Sequence, residues 1–241
     1  MTAGSCGSAS NMPVSTREVA FEAASREEYT VAVGDIRKYG WRRALQASQD
    51  RLDAELAEAE ADAVEKPACR SGCWFCCYLK VGVRAEEAFS IVDFVRNRFT
   101  RERSQETRRA IAANARIMRR ATPADQLTAR LKCAFLIDGA CSIYEVRPAR
   151  CRTHHAVEVE RCQVLFEQPG NLNILTSYVP RIFTAGEAHR GGYDAAARDS
   201  GFDTTIYEMS TALDECLTDS RPLRRFESGR RAFSRAVPGD T

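Results

Sequence analysis

Residues 69–77 read CRSGCWFCC, so Cys69, Cys73, Cys76 and Cys77 take four of nine consecutive positions. Free cysteine favours burial, but packing alone does not explain why so rare a residue fills four of nine sites. On a helix these four positions share one face, and in a turn Gly72 lets the backbone fold so that the sulfurs converge. The stretch therefore predicts a metal or redox site around which the rest of the chain is organised.

A second set of cysteines follows later in the chain, and the two sets together supply the predicted ligands. Two groups of four suit two tetrahedral thiolate sites, or one cluster with a neighbouring site. Adjacent side chains diverge by about 100° on a regular helix, so the Cys76–Cys77 pair favours two bridged metals or a locally irregular backbone. The predicted metal ligands are Cys69, Cys73, Cys76, Cys77, Cys133, Cys141, Cys151 and Cys162.

Two cysteines are not expected to bind metal. Cys6 lies in a stretch rich in Gly and Ser, and Cys216 falls on the apolar face of a predicted helix. His154 follows Cys151 closely and could complete a site, although tandem histidines in a loop are commonly just polar surface. Because thiolate is the softer ligand, we expect Cys162 to hold metal more firmly than His154 does.

Basic residues accompany the thiols along the sequence. Four thiolates on one divalent ion leave two excess negative charges, which nearby cations would offset, although the same residues could simply be exposed surface. The basic residues in question are Arg70, Lys80, Arg147, Arg150 and Arg152.

The composition limits the compartment and the partners. The chain has 241 residues, is 44% hydrophobic and has a formal net charge of +2, which gives no reason to expect nucleic acid or an anionic membrane as a partner. No apolar run approaches the ~20 residues that span a bilayer, and residues 1–25 contain no apolar signal region. Ten cysteines without an export signal indicate a reducing, cytoplasmic setting and metal binding rather than disulfides.

Apolar spacing predicts helices and almost no strand. Leu45, Leu52, Leu56 and Ala59 form one stripe within a helix expected over residues 36–63. The predicted class is all-α, an irregular helical domain organised around a cysteine-ligated metal site, with a loop-rich segment near residues 133–153. We expect a disordered tail at residues 1–30, one helical domain at residues 31–230 with its cysteine core at 69–162, and a flexible tail at residues 231–241.

The cysteine pattern resembles the YkgJ-like cysteine-cluster family, whose members are described as zinc- or iron-chelating. The family pattern is CxxCxxCC, and here the first gap is three residues, as in a subset of relatives. Three further stretches are similar to the second half of that family, namely CAFL at 133–136, CSIYE at 141–145 and RPARCR at 147–152. The resemblance implies zinc or iron and leaves the biological role undefined. The close thiol spacing and the Cys76–Cys77 pair favour iron in a polynuclear centre, including a 4Fe-4S cluster.

Several functions remain open from the sequence, including whether the protein is an enzyme. The spacing of Cys69, Cys73 and Cys76 also fits the CxxxCxΦC motif of radical S-adenosylmethionine enzymes, although the strand–helix alternation of their barrel is missing. Flagellin lysine methylases have a similar cysteine arrangement, so an iron–sulfur methyltransferase is one alternative. The others are a zinc-stapled module that contacts a protein partner, and a protein that stores, delivers or senses metal.

Overall fold

The computed structural model describes residues 14–70, 72–171, 173–174 and 176–239. Helix is the dominant secondary structure of the described residues, which confirms the predicted all-α class. The α-helices of the described part are α1 (Val14–Tyr39), α2 (Trp41–Ala61), α3 (Ala85–Arg98), α4 (Arg101–Arg120), α5 (Pro123–Thr128), α6 (Ala149–Thr153), α7 (Val159–Glu167), α8 (Pro180–Asp199), α9 (Met209–Thr218) and α10 (Arg221–Glu227). None of these helices combines the length and apolar character needed to cross a bilayer.

The described strands are two residues long and form two antiparallel pairs. Strand β1 (Gly82–Val83) pairs with β4 (Tyr207–Glu208), and β2 (Leu136–Ile137) pairs with β3 (Ala140–Cys141). A (β/α) barrel needs long parallel strands that alternate with helices. The described part of the chain therefore lacks the architecture that the radical S-adenosylmethionine motif normally accompanies.

Helices α1, α2 and α8 pack together as a three-helix unit. Its core includes Ile36, Leu45 and Tyr193, all buried. The single helix expected over residues 36–63 is two helices, because Gly40 takes φ 77 and breaks the chain between α1 and α2. The close approach of α8 to α1 depends on Gly192, where an added Cβ would lie 2.3 Å from the backbone oxygen of Ser25.

A larger core forms where α3, α4, α9 and α10 meet. The side chains of Phe89, Leu213 and Phe226 are buried in it, and Trp41 of α2 packs against Phe89 and Phe226 with ring centroids 5.9 and 5.5 Å apart. Trp41 thus joins the three-helix unit to the larger core. Burial of these large rings stabilises the contact by roughly 2 kcal/mol or more each.

A buried ionic cluster also joins the two parts. Arg84, just before α3, pairs with Asp194 of α8, and its guanidinium lies 4.6 Å from the centre of the Tyr193 ring. The Nε of Arg84 is 3.4 Å from Glu86 Oε1, yet neither Glu86 oxygen has a hydrogen-bond partner among the described residues. Burial raises the pKa of Glu86 to about 7.

The structure forms defined elements within both expected tails. Residues 14–30, expected to be disordered, belong to α1, and residues 1–13 lie outside the described part. The segment 231–239 is held by Glu215, whose carboxylate accepts hydrogen bonds from Ser234 N (2.9 Å) and Arg235 N (2.7 Å). Phe233 is 1% exposed and packs in the larger core, within the segment expected to be a flexible tail.

The segment 133–153 is irregular, as predicted. Its hairpin β2–β3 turns at Asp138 and Gly139, whose φ values of 49 and 77 are those of a tight two-residue turn matched to strand twist. A 3₁₀ helix (Tyr144–Val146) and the short α6 follow. The fold thus supplies short, rigid turns where the second set of cysteines lies.

Candidate metal centre

A 3₁₀ helix (Phe75–Tyr78) carries the adjacent Cys76 and Cys77. Gly72 precedes it at φ 86, which folds the chain so that Cys73 N donates to Arg70 O at 3.0 Å. A 3₁₀ helix turns every three residues, so neighbouring side chains diverge more than on an α-helix. The structure agrees with the expectation of an irregular backbone at the Cys76–Cys77 pair.

The second set of cysteines is attached directly to this 3₁₀ helix. Cys133 N donates to Cys77 O at 2.8 Å, which fixes the start of the loop-rich segment against the first cysteine stretch. Cys141 follows on β3, opposite Leu136, and Cys151 lies on α6. A turn, a strand and a helix therefore carry the three cysteines that follow the 3₁₀ helix.

Helix α6, which carries Cys151, is fixed to two other helices by charged side chains. Glu87 of α3 accepts a hydrogen bond from Ala149 N at 2.7 Å, at the first residue of α6. Arg152 pairs with Asp53 of α2 and donates to the backbone oxygen of Arg147 at 2.9 Å. Sequence analysis missed Glu87 and Asp53 because nothing distinguishes them from the many other carboxylates of the chain.

Aromatic packing positions Cys162. Helix α7 contacts the 3₁₀ helix through Phe166, whose ring centroid lies 5.2 Å from Trp74 and 5.0 Å from Tyr78. Just before α7, Ala156 O accepts a hydrogen bond at 2.8 Å from Ala68 N, the residue before Cys69. These contacts bring Cys162 to the Cys69 end of the first cysteine stretch.

The thiols surround one large cavity of about 750 Å³. Its wall includes seven of the eight predicted ligands, namely Cys69, Cys73, Cys76, Cys77, Cys133, Cys141 and Cys151. Cys162 is not part of that wall, whereas His154 is. All nine described cysteines carry free thiols.

Burial and the charges of neighbouring thiols raise the pKa values of the cysteines at the cavity. Burial raises the pKa of Cys133 to about 11, and the charges of Cys141 and Cys76 add to the effect. Burial likewise raises the pKa of Cys162 to about 11, with Cys69, Cys73 and Cys76 as the neighbouring charges. Without a metal these groups hold their protons at neutral pH, so metal binding must release them.

Of the five basic residues predicted near the thiols, four line the cavity and one does not. Arg70, Lys80, Arg147 and Arg150 are in the wall, whereas Arg152 is occupied with Asp53. The guanidinium of Arg147 lies 4.0 Å from the centre of the Tyr144 ring, and its Nε has no hydrogen-bond partner among the described residues. Its charge lowers the pKa of Cys76, Cys141 and Cys151, but the pKa of each thiol is raised overall. The largest cause is the hydrogen bond with Cys77 for Cys76, and burial for Cys141 and Cys151.

The donor set fits zinc or iron, because thiolates are the ligands that bind these soft and borderline metals most firmly. The cysteine sulfurs lie farther apart than the ligands of one closed tetrahedral metal site. Sulfurs around a single tetrahedral zinc lie roughly 4 Å apart, given Zn–S bonds of about 2.3 Å. In the described residues, no three cysteine sulfurs lie within 4.8 Å of one another.

A second group of potential ligands lies in the three-helix unit and was missed from the sequence. Glu28, Glu55 and His189 place one ligand atom each within 4.8 Å of the others. Both oxygens of Glu28 accept hydrogen bonds from Arg51, at 2.7 and 2.9 Å, and His189 Nδ1 lies 3.0 Å from Glu55. Because a guanidinium already neutralises Glu28, the group is a hydrogen-bonded network that ties α1, α2 and α8 together.

Cys216, predicted not to bind metal, is buried on α9 in the larger core. This placement agrees with a packing role, and Cys6 lies outside the described residues.

The gathering of free thiols around one cavity resembles the arrangement found in thiolate metal chelators. Residues 68–169 match the model of the CxxCxxCC family, described as "Putative zinc- or iron-chelating domain". The match begins just before Cys69 and ends after Cys162, and it confirms the family resemblance seen in the sequence. Comparison with curated proteins and with solved structures gave no significant match.

Proposed function

We propose that the chain is a metal-binding protein that holds zinc or iron through its eight clustered cysteines. The observation that carries the proposal is the shared cavity wall, to which seven of the eight thiols contribute from four separate stretches of chain. Thiols with ordinary packing roles would not need to converge from a turn, a hairpin and two short helices. The free state of all described thiols suits a reducing compartment, such as the cytoplasm.

Iron in a polynuclear centre, including a 4Fe-4S cluster, is favoured over a single closed zinc site. The support comes from the adjacent Cys76 and Cys77, and from sulfurs that are spread wider than one tetrahedral ion requires. Zinc has a filled d-shell and gives neither colour nor redox activity, whereas iron–sulfur centres absorb visible light. The two metals are therefore separable by spectroscopy.

The test is elemental analysis of protein purified anaerobically, together with its visible absorption spectrum and its acid-labile sulfide content. We expect at least one zinc or iron per chain, and a brown colour if the metal is iron. The matched control is Cys216→Ala, which removes a cysteine outside the cavity. Well under one metal per chain in the parent protein contradicts the proposal, and a colourless zinc-rich sample contradicts the preference for iron.

Metal removal provides a second measurement on the same samples. Because such sites form only in the folded state, metal binding energy contributes to folding, and chelation should lower the free energy of unfolding by several kcal/mol. Equal stability of the chelated and untreated protein would mean that the thiols do not hold metal in the folded state.

A further inference from the structure

The cavity that the thiols surround is larger than a metal centre needs. A metal ion with thiolates about 2.3 Å away fills a sphere of roughly 50 Å³, whereas the cavity measures about 750 Å³. Cavities of roughly 300–1,000 Å³ are the usual size of sites for small organic molecules. Most of the volume is therefore available to a ligand other than the metal.

Part of the cavity wall is made of buried apolar side chains that carry no thiol. Met118 of α4, Phe135 and Met209 of α9 are all buried and all line the cavity. They come from three separate parts of the fold, and Met209 lies outside the family match at residues 68–169. Helix α9 thus adds an apolar surface to a cavity that the matched region alone does not complete.

The start of α9 is held against the cavity by backbone hydrogen bonds. Strand β4 pairs with β1, and Met209 N donates to Val81 O at 2.9 Å, shortly after the 3₁₀ helix of the adjacent cysteines. Glu208, the one acidic residue among the described residues of the wall, accepts hydrogen bonds from Ser210 N and Thr211 N, both at 2.8 Å. Its carboxylate therefore caps α9, and the permanently charged side chains of the rest of the wall are basic.

Arg147 supplies one of these cations. Its guanidinium lies 4.0 Å from the centre of the Tyr144 ring, and its Nε is buried without a hydrogen-bond partner among the described residues. It forms no ion pair with a carboxylate in the described part of the chain, unlike Arg150, which lies 3.4 Å from Glu187. A guanidinium presents N–H donors in a planar fork that matches the two oxygens of a carboxylate.

We propose that the cavity binds a small organic carboxylate with an apolar body, whose carboxylate pairs with Arg147 and whose body packs on Met118 and Met209. A neutral molecule would leave the guanidinium without a partner, and a small inorganic anion would leave the apolar wall uncovered. Carboxylate oxygens are also accepted ligands of zinc and iron, so the bound anion is compatible with a metal beside it. The inference deepens the proposed function and rests on it for the metal, because the ligand lies in the same cavity.

The experiment measures octanoate binding to anaerobically purified full-length protein by isothermal titration calorimetry. Acetate, which has the carboxylate without the apolar body, and 1-octanol, which has the body without the charge, are compared on the same protein. The variants are Arg147→Gln and Met209→Ala, with Arg108→Gln and Leu127→Ala as matched controls at exposed positions outside the wall. Circular dichroism verifies that each variant folds, and elemental analysis reports its metal content.

We expect one octanoate per chain, bound roughly tenfold or more tightly than acetate or 1-octanol. The affinity should fall roughly tenfold in Arg147→Gln and about threefold in Met209→Ala, and stay unchanged in both controls. Equal affinity in Arg147→Gln and Arg108→Gln refutes the assignment. Equal binding of octanoate and 1-octanol to the parent also refutes it, and this comparison decides the question even if Arg147→Gln does not fold. Metal-containing protein that does not bind octanoate defeats this inference alone, whereas octanoate binding by protein that was purified without metal defeats the proposed function alone.

Discussion

Replacing Glu86 with glutamine should make the stability of the protein less sensitive to pH. Glu86 lies at the start of α3, buried beside Arg84 and Glu87, and neither of its oxygens has a hydrogen-bond partner among the described residues. Burial raises the pKa of this carboxyl from its ordinary 4.5 to about 7. The folded protein therefore holds this proton more tightly than the unfolded chain does, and stability falls as the pH rises from about 4.5 through about 7.

The magnitude follows from the two pKa values. Each pKa difference of one corresponds to about 1.4 kcal/mol, so the full penalty at high pH is roughly 3 kcal/mol. About 2.5 kcal/mol of this penalty develops between about pH 5 and about pH 8. Glutamine resembles the protonated acid and does not ionise, so Glu86→Gln should gain about 2 to 3 kcal/mol over the parent across that interval.

The assay is urea unfolding followed by circular dichroism at several pH values, with linear extrapolation to water. The metal and the thiols are common to both proteins, so their own pH dependence cancels in the difference. Glu65→Gln, at an exposed position, is the matched control for removing a negative charge. If the difference between Glu86→Gln and the parent stays constant from about pH 5 to about pH 8, the buried carboxyl does not titrate as argued.

Three further outcomes are expected. Gly192→Ala should destabilise the protein by about 1 to 3 kcal/mol in urea unfolding, since the new Cβ would lie 2.3 Å from Ser25 O. The control Gly191→Ala places its Cβ at an ordinary contact distance of 3.6 Å from Ser25 Oγ and should be neutral or slightly stabilising. Cys216→Ala combined with Cys6→Ala should leave the metal content unchanged, and a loss of metal in that double variant would make one of them a ligand. Metal analysis of Cys162→Ala should show a larger loss than His154→Ala; the reverse order would mean a mixed sulfur and nitrogen site.

The helical fold was largely predictable, but its ends were not. The stripe of Leu45 and Leu52 marks α2 because those side chains are large, apolar and regularly spaced. The N-terminal half of α1 gave no such signal, because its contact with α8 depends on Gly192 and a backbone oxygen rather than on large apolar side chains. The segment 231–239 was missed for a related reason, since it is held by backbone hydrogen bonds to Glu215.

The candidate ligands were identified because cysteine is rare and its clustering is hard to explain otherwise. The position of Cys162 relative to the other cysteines was not predictable. It depends on how α7 packs through Phe166 on Trp74, and these two residues are far apart in the sequence. The residues that fix the position of the site were equally hard to predict from the sequence. Glu87, which fixes the start of α6, differs from an ordinary surface carboxylate only in its tertiary contacts.

The burial of Phe233 has a consequence for how the protein is made. Translation proceeds from the N-terminus, so all eight candidate ligands emerge from the ribosome before Phe233 is synthesised. Until the segment 231–239 is released, the larger core lacks one of its buried rings and the nascent chain cannot reach its final packing. The larger core, against which Cys133 and Cys141 pack, is therefore completed only after all eight candidate ligands have been synthesised.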